Sequence, residues 1–302
     1  MQIREHTVKG IDLVDVLDAQ DQLLLRVAPG FGAKVMELNL PVKGNIEPIL
    51  WKVNFEELHT NEFGKNDILF PFPNRVEDGQ YEYQGNRYDF PINEKEYNNS
   101  IHGFVREREF HLKQQESGSN EVRITFEYQY KGELYYPFPF HLEVGYTLRP
   151  GVFQISFTIT NIGNTTFPYG LGWHPYFVQE ESGDTKVQLP DSTEHMAGER
   201  YLPIGKVSTW NKRMFRPGDS LYNVTLELED SSPSYVFCSG RRGVRIIPSA
   251  DFGFLQIYTP PQKNVIALEP MTCGINAFNT GIGLRELGAG DSFDAYVAIN
   301  LV

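Results

Sequence analysis

Apolar and polar residues alternate along most of the chain with a period of two, the pattern of strands that bury one face and solvate the other. In EVRITFEYQY, Val122, Ile124, Phe126, Tyr128 and Tyr130 share a face. In VFQISFTITN, Phe153, Ile155, Phe157 and Ile159 oppose Gln154, Ser156, Thr158 and Thr160. The C-terminal SFDAYVAINLV repeats the arrangement with Phe293, Ala295, Val297, Ile299 and Leu301. Clusters of Gly, Asn, Asp, Ser and Pro at residues 116–120, 161–164, 230–233 and 288–291 mark turns between such runs. No long stretch carries a helical period; the best short candidate is one turn around Asn54 to Leu58. No fixed-period repeat or Pro/Ser-rich linker divides the chain. The pattern predicts an all-β fold, a large antiparallel β-sandwich, with residues 1–302 as a single domain.

Composition narrows the function. At 302 residues, 40% hydrophobic and 22% charged, the chain reads as globular. Length alone suggests two domains, but all-β folds of this size often form one. A net charge of −12 argues against nucleic acid or an anionic membrane as partner, since phosphate backbones select for Lys and Arg. Two cysteines, Cys238 and Cys273, fit a reducing compartment better than a disulfide scaffold. The opening MQIREHTVKG lacks the apolar core of a signal peptide. No window approaches the roughly 20 apolar residues of a membrane span, so the expected location is cytoplasmic.

Four segments depart from plain alternation. In FPFPNRV two prolines stop ladder pairing and leave Asn74 and Arg75 at a strand-ending bend. NNSIHGF holds His102 in an Asn/Gly-rich loop, and GLGWHPYF holds His174 among glycines and aromatics. In VIALEPMTCGINAFN, Glu269 ends an apolar strand and Pro270 stops it. Each has a plain structural reading: Arg75 paired with Glu77 or Asp78 on the surface, His102 in a turn, His174 filling a core gap. Glu269 is harder to explain that way. Alternation puts it on the face of Val265 and Ala267, opposite Ile266 and Leu268, so it is either buried with partners or opens onto a cleft. His141 lies on a polar strand face, and His6, His59, His111 and His195 carry no motif. Two histidines, an arginine and a carboxylate suit proton transfer near neutral pH.

Taken together and in order, these segments resemble the aldose 1-epimerase (galactose mutarotase) family. The resemblance rests on Asn74-Arg75, His102-Gly103, Trp173-His174-Pro175-Tyr176-Phe177, and Glu269-Pro270 through Asn276-Ala277-Phe278-Asn279, and spans most of the chain. It implies a galactose mutarotase-like sandwich and a small-molecule aldose as partner. It further implies Glu269 as the base on the anomeric hydroxyl and His174 as the acid on the ring oxygen. Arg75, His102 and Asn74 would bind substrate. No metal or cofactor is implied, and no oligomeric state is specified. His174 and Glu269 are expected to face each other across a space the size of one pyranose, with the aromatic neighbours holding the imidazole.

One position departs from the family. Many members carry an acidic residue in an L-D-x-x-F type segment that binds sugar hydroxyls; here SLYNVTLEL offers Tyr222 or Asn223. Other readings are a non-catalytic carbohydrate-binding protein and a glycoside hydrolase using Glu269 with Asp251, whose carboxylates would stand roughly 5–10 Å apart. A zinc site of His102, His174 and Glu269 lacks the short spacing of common zinc motifs. A hexose-phosphate mutarotase would need basic residues at the cleft mouth, and Arg241, Arg242 and Arg245 form the obvious cluster.

Overall fold

The alternating runs are strands, and nearly all of them pair antiparallel. A computed structural model describes residues 1–180, 184–230, 233–261 and 263–302. Val122–Tyr130, Phe140–Arg149, Val152–Asn161 and Ser292–Leu301 are consecutive neighbours in a nine-stranded sheet. An eight-stranded sheet contains Asn223–Leu228, Phe254–Tyr258, Val265–Met271, Gly172–Trp173 and Ile68–Leu69 as successive neighbours, with Tyr176–Val178 paired beside Val265–Met271. Gln2–Val8 through Asn45–Pro48 form a five-stranded meander. The expected turns at 116–120, 161–164 and 288–291 lie between strands. The one at 230–233 includes residues 231 and 232, which lie outside the described residues.

The all-β expectation therefore holds, with two short α-helices among the described residues, Phe55–Thr60 and the unexpected Ala277–Thr280. The short helical candidate is the helix Phe55–Thr60, with Asn54 as its N-cap residue. The Glu57 carboxylate accepts a hydrogen bond from the Asn54 N–H at 2.7 Å, satisfying a donor that the first helical turn leaves free. Among the described residues no helix is long and apolar enough to cross a membrane. Cys238 and Cys273 are both free.

One core joins the inner faces of the two large sheets. Phe153, Ile155 and Phe157 from the nine-stranded sheet share a cluster with Trp173, Leu226, Leu255, Ile266 and Leu268 from the eight-stranded one. Phe153 and Trp173 meet with ring centroids 6.0 Å apart, and Phe177 and Phe237 at 5.3 Å. Because side chains alternate along a strand, the residues between those core positions emerge on the other face of the eight-stranded sheet. That face carries Asn223, Gln256, Tyr258 and Glu269, and they line a cavity of about 890 Å³.

Candidate active site

Strand pairing brings the four sequence segments to one place. Arg75–Glu77 pairs with Asn99–Ile101, with Arg75 opposite Ile101, so the residue after that strand, His102, stands beside Arg75. Gly172 pairs with both Leu69 and Met271, and Tyr176 with Ala267, which carries His174 alongside Glu269. Gln256 lies directly across from Glu269, and Tyr258 across from Ala267. The Asn276 segment is a brace. Its N–H donates to the Arg75 carbonyl at 2.8 Å, and its Oδ1 accepts from the Glu77 N–H at 3.0 Å.

His102 sits in a backbone conformation that its loop must hold open. Both His102 and Gly103 have positive φ, 68° and 63°. A Cβ on Gly103 would lie 2.1 Å from the Phe70 carbonyl oxygen, which also accepts from the Phe104 and Val105 N–H groups. Gly103→Ala should therefore cost about 2–4 kcal/mol and displace His102. Urea unfolding would check the first effect, and a shift of the His102 ring signals in NMR the second.

At the cavity floor His174 Nε2 lies 3.4 Å from Glu269 Oε1. His174 is 4% exposed and Glu269 1%. The two do not face each other across a sugar-sized gap, as the sequence suggested. At 3.4 Å no ring fits between them, and they present adjacent polar atoms to the same space. Tyr176 stacks on the imidazole, 4.9 Å between centroids and 21° between planes. His102 meets it edge-on at 5.1 Å. Trp173 does not line the cavity: its ring is wholly buried in the core and Nε1 donates to the Asn66 carbonyl at 3.3 Å. Among the described residues, buried His102 Nδ1, His174 Nδ1 and Glu269 Oε2 have no hydrogen-bond partner, an arrangement that buried polar atoms rarely keep without a functional reason.

Electrostatics follows from this burial. Loss of water pushes the Glu269 carboxyl well above the ordinary carboxylate range, opposed by Arg75. Burial also takes the His174 imidazole down to about 4, against the pull of the Asp67 carboxylate. His102 is held well below the ordinary histidine range by burial, and then by His174, Arg106 and Arg75. Burial thus works against the charged form of both partners, favouring a protonated Glu269 and a neutral His174.

Arg75 is neither a surface residue nor paired with Glu77 or Asp78. Its guanidinium grips Glu94 through Nε at 2.8 Å and Nη2 at 2.7 Å and lies over the Tyr201 ring at 4.9 Å. Glu77 and Asp78 pair with Arg200 instead. Asn74 lines the cavity, but its amide is already committed, Oδ1 to Arg75 at 3.3 Å and Nδ2 to Gln256 at 3.1 Å. The acidic-residue ambiguity resolves onto Asn223, which lines the cavity, whereas Tyr222 is a core residue. Asp251 pairs with Arg285 at 3.0 Å, outside the cavity lining. Arg241 and Arg242 lie outside it too, paired with Glu47 and Glu180. Among the described residues no group of three or more His, Cys, Asp or Glu is arranged to hold a metal ion.

Several lining residues escaped the sequence. Gln256 carries the same signal as Glu269, a polar side chain inside the apolar strand FLQIY. His59 lines the cavity edge-on to Phe31, and Glu94 and Arg106 also line it. None of these three differs in sequence context from an ordinary surface residue.

The fold and site together define an all-β sandwich with a buried histidine–carboxyl pair at the floor of an open, aromatic-walled cavity. The chain belongs to the aldose 1-epimerase family, whose model matches residues 16–300. It is 27% identical over 254 residues to the uncharacterized protein YihR of Escherichia coli K12, covering 78% of each chain. The fold is that of a galactose mutarotase-like protein from Clostridium acetobutylicum, with a TM-score of 0.86, 18% identity and coverage of 100% of this chain and 98% of that one. It is also that of galactose 1-epimerase from Lactobacillus acidophilus, with a TM-score of 0.79, 16% identity and coverage of 100% and 98%.

Proposed function

We propose that the chain is an aldose 1-epimerase that interconverts the α and β anomers of an uncharged free aldose. The observation that carries this reading is the 3.4 Å approach of His174 Nε2 to Glu269 Oε1 on the cavity floor. Mutarotation acts on two oxygens bonded to the same carbon, the anomeric hydroxyl and the ring oxygen, so a matched acid and base must stand side by side. Burial favours the neutral form of both groups, and transfer of a proton from Glu269 to His174 produces the carboxylate and imidazolium the reaction uses. Glu269 then takes the proton from the anomeric hydroxyl as the C1–O carbonyl forms. The C1–ring-oxygen bond breaks, and His174 Nε2 protonates the ring oxygen. Rotation about C1–C2 and the reverse steps close the other anomer. Arg75 and His102 bind the sugar, and Asn74 holds Arg75 and Gln256 in position.

Charge supports a neutral substrate over a hexose phosphate. Arg75 is paired with Glu94, and Arg106 with Asp67 at 3.5 Å and Glu107 at 3.6 Å, while Glu62 and Glu96 add negative charge to the lining. A phosphate dianion entering there meets repulsion and, among the described lining residues, no unpaired Lys or Arg. We take residues 1–302 as one domain working in the cytoplasm. Polarimetry of freshly dissolved α-D-glucose and α-D-galactose tests the proposal. The protein should accelerate the approach to equilibrium of at least one, and of glucose 6-phosphate far less. No acceleration of either free sugar would refute activity on these common aldoses.

A further inference from the structure

A line of amide groups runs from Arg75 to the cavity wall and decides which atom the last of them presents to a ligand. A guanidinium can only donate. Arg75 Nη1 donates to Asn74 Oδ1 at 3.3 Å, so Asn74 turns its Nδ2 the other way and donates to Gln256 Oε1 at 3.1 Å. The Thr225 hydroxyl donates to the same oxygen. Gln256 Nε2 is then left for Asn223 Oδ1 at 2.8 Å and the Ile257 carbonyl at 3.5 Å. Taken singly, each amide has two orientations. The arginine at one end and the peptide carbonyl at the other leave one arrangement in which every contact joins a donor to an acceptor. Asn74 and Gln256 are 2% and 4% exposed, so reversing either would strand buried polar atoms. Asn223 lies at the open end, exposed on the cavity wall with its Oδ1 committed. Its Nδ2 has no partner among the described residues.

We propose that Asn223 is a specificity-determining residue that donates an N–H hydrogen bond to an oxygen of the bound aldose. The site then accepts, at that one position of the sugar, a substituent able only to accept a hydrogen bond. The substrate class widens from sugars with a free hydroxyl there to sugars bearing an ether or acyl oxygen. An aspartate at the same place would still accept from Gln256, but it would turn an acceptor to the sugar and demand a hydroxyl hydrogen. Asn74 and Gln256 are positioning residues in this scheme. The inference rests on the sugar-binding reading of the cavity, though not on turnover.

The test compares wild type with Asn223→Asp, a change of equal size that keeps the Gln256 contact. The probes are an aldose and its monodeoxy and monodeoxyfluoro analogues. Affinity is measured by ligand-observed NMR and anomer exchange by exchange spectroscopy. In wild type, one position should tolerate fluorine for hydroxyl, while hydrogen there weakens binding about tenfold. In the variant, the fluoro analogue at that position should bind at least about tenfold more weakly than the parent sugar. An analogue ranking unchanged by the substitution overturns the proposal, as does failure of any aldose to bind wild type. The expected ranking without accelerated exchange would uphold the donor role of Asn223 and refute the epimerase reading.

Discussion

Replacing Glu269 by glutamine is expected to slow anomer exchange by about 10²–10⁴-fold while sugar binding persists. The amide keeps the shape and the contacts of the carboxyl but cannot take the anomeric proton. A lectin-like protein on this fold would lose nothing comparable, so the split between turnover and binding separates the two. The same change should stabilise the protein, increasingly so at higher pH. A carboxyl whose folded pKa is raised supports the folded state fully below its ordinary value near 4.5, and that support is lost as pH rises through the folded value. The glutamine variant has no such loss, and each unit of displacement is worth about 1.4 kcal/mol. His174 acts in the opposite sense. With its folded pKa at about 4 against an ordinary 6.5, it costs stability as pH falls between those values. Thermal unfolding at pH 5 and pH 8 should show the variant's advantage widening at pH 8. An advantage independent of pH would show that Glu269 is not held protonated by burial.

Asp67→Ala should cost about 3–5 kcal/mol of stability, the largest effect expected from a residue outside the proton-transfer pair. Lys34 and Asp67 form an ion pair at 2.5 Å with side chains 2% and 1% exposed, and Asn61 bridges them, accepting from Lys34 at 2.7 Å and donating to Asp67 at 2.7 Å. Arg106 adds a second cation at 3.5 Å. Without the carboxylate both cations are left in a low-dielectric interior. Combining Asp67→Ala with Lys34→Met should recover part of the loss, since an apolar pair of similar volume avoids the desolvation cost. The Asp67 carbonyl accepts the His174 N–H at 2.9 Å, and its charge raises the imidazole pKa. The acid limb of the pH–rate profile should therefore move below about 4 in the Asp67→Ala protein. A limb that stays in place would show that Asp67 matters to the fold alone.

Much of this site was legible because buried strands expose their exceptions. A carboxylate between Leu268 and Pro270 in an otherwise apolar strand has no cheap structural explanation, and Glu269 proved to be buried and cavity-lining. Gln256 carried the same mark, as did Lys34 within the apolar run around it. Glu94 did not: a glutamate in a polar loop looks the same in sequence whether it faces water or chelates Arg75. The choice between Tyr222 and Asn223 was likewise closed to sequence, because it depends on which of two adjacent side chains the sheet turns inward.

The sequence by itself determined the period-two architecture, the short helical turn after Asn54 and the family, since alternation and local turn chemistry act within a few residues. It also singled out His174, Glu269 and Arg75, which the fold brings to one cavity. Tertiary structure alone decided that the imidazole and the carboxyl stand side by side, that burial disfavours the charge on both, and that Arg75 is paired with Glu94. It alone set the direction of the amide line ending at Asn223. Distances, desolvation and donor–acceptor order arise between strands remote in the chain, and no local pattern records them.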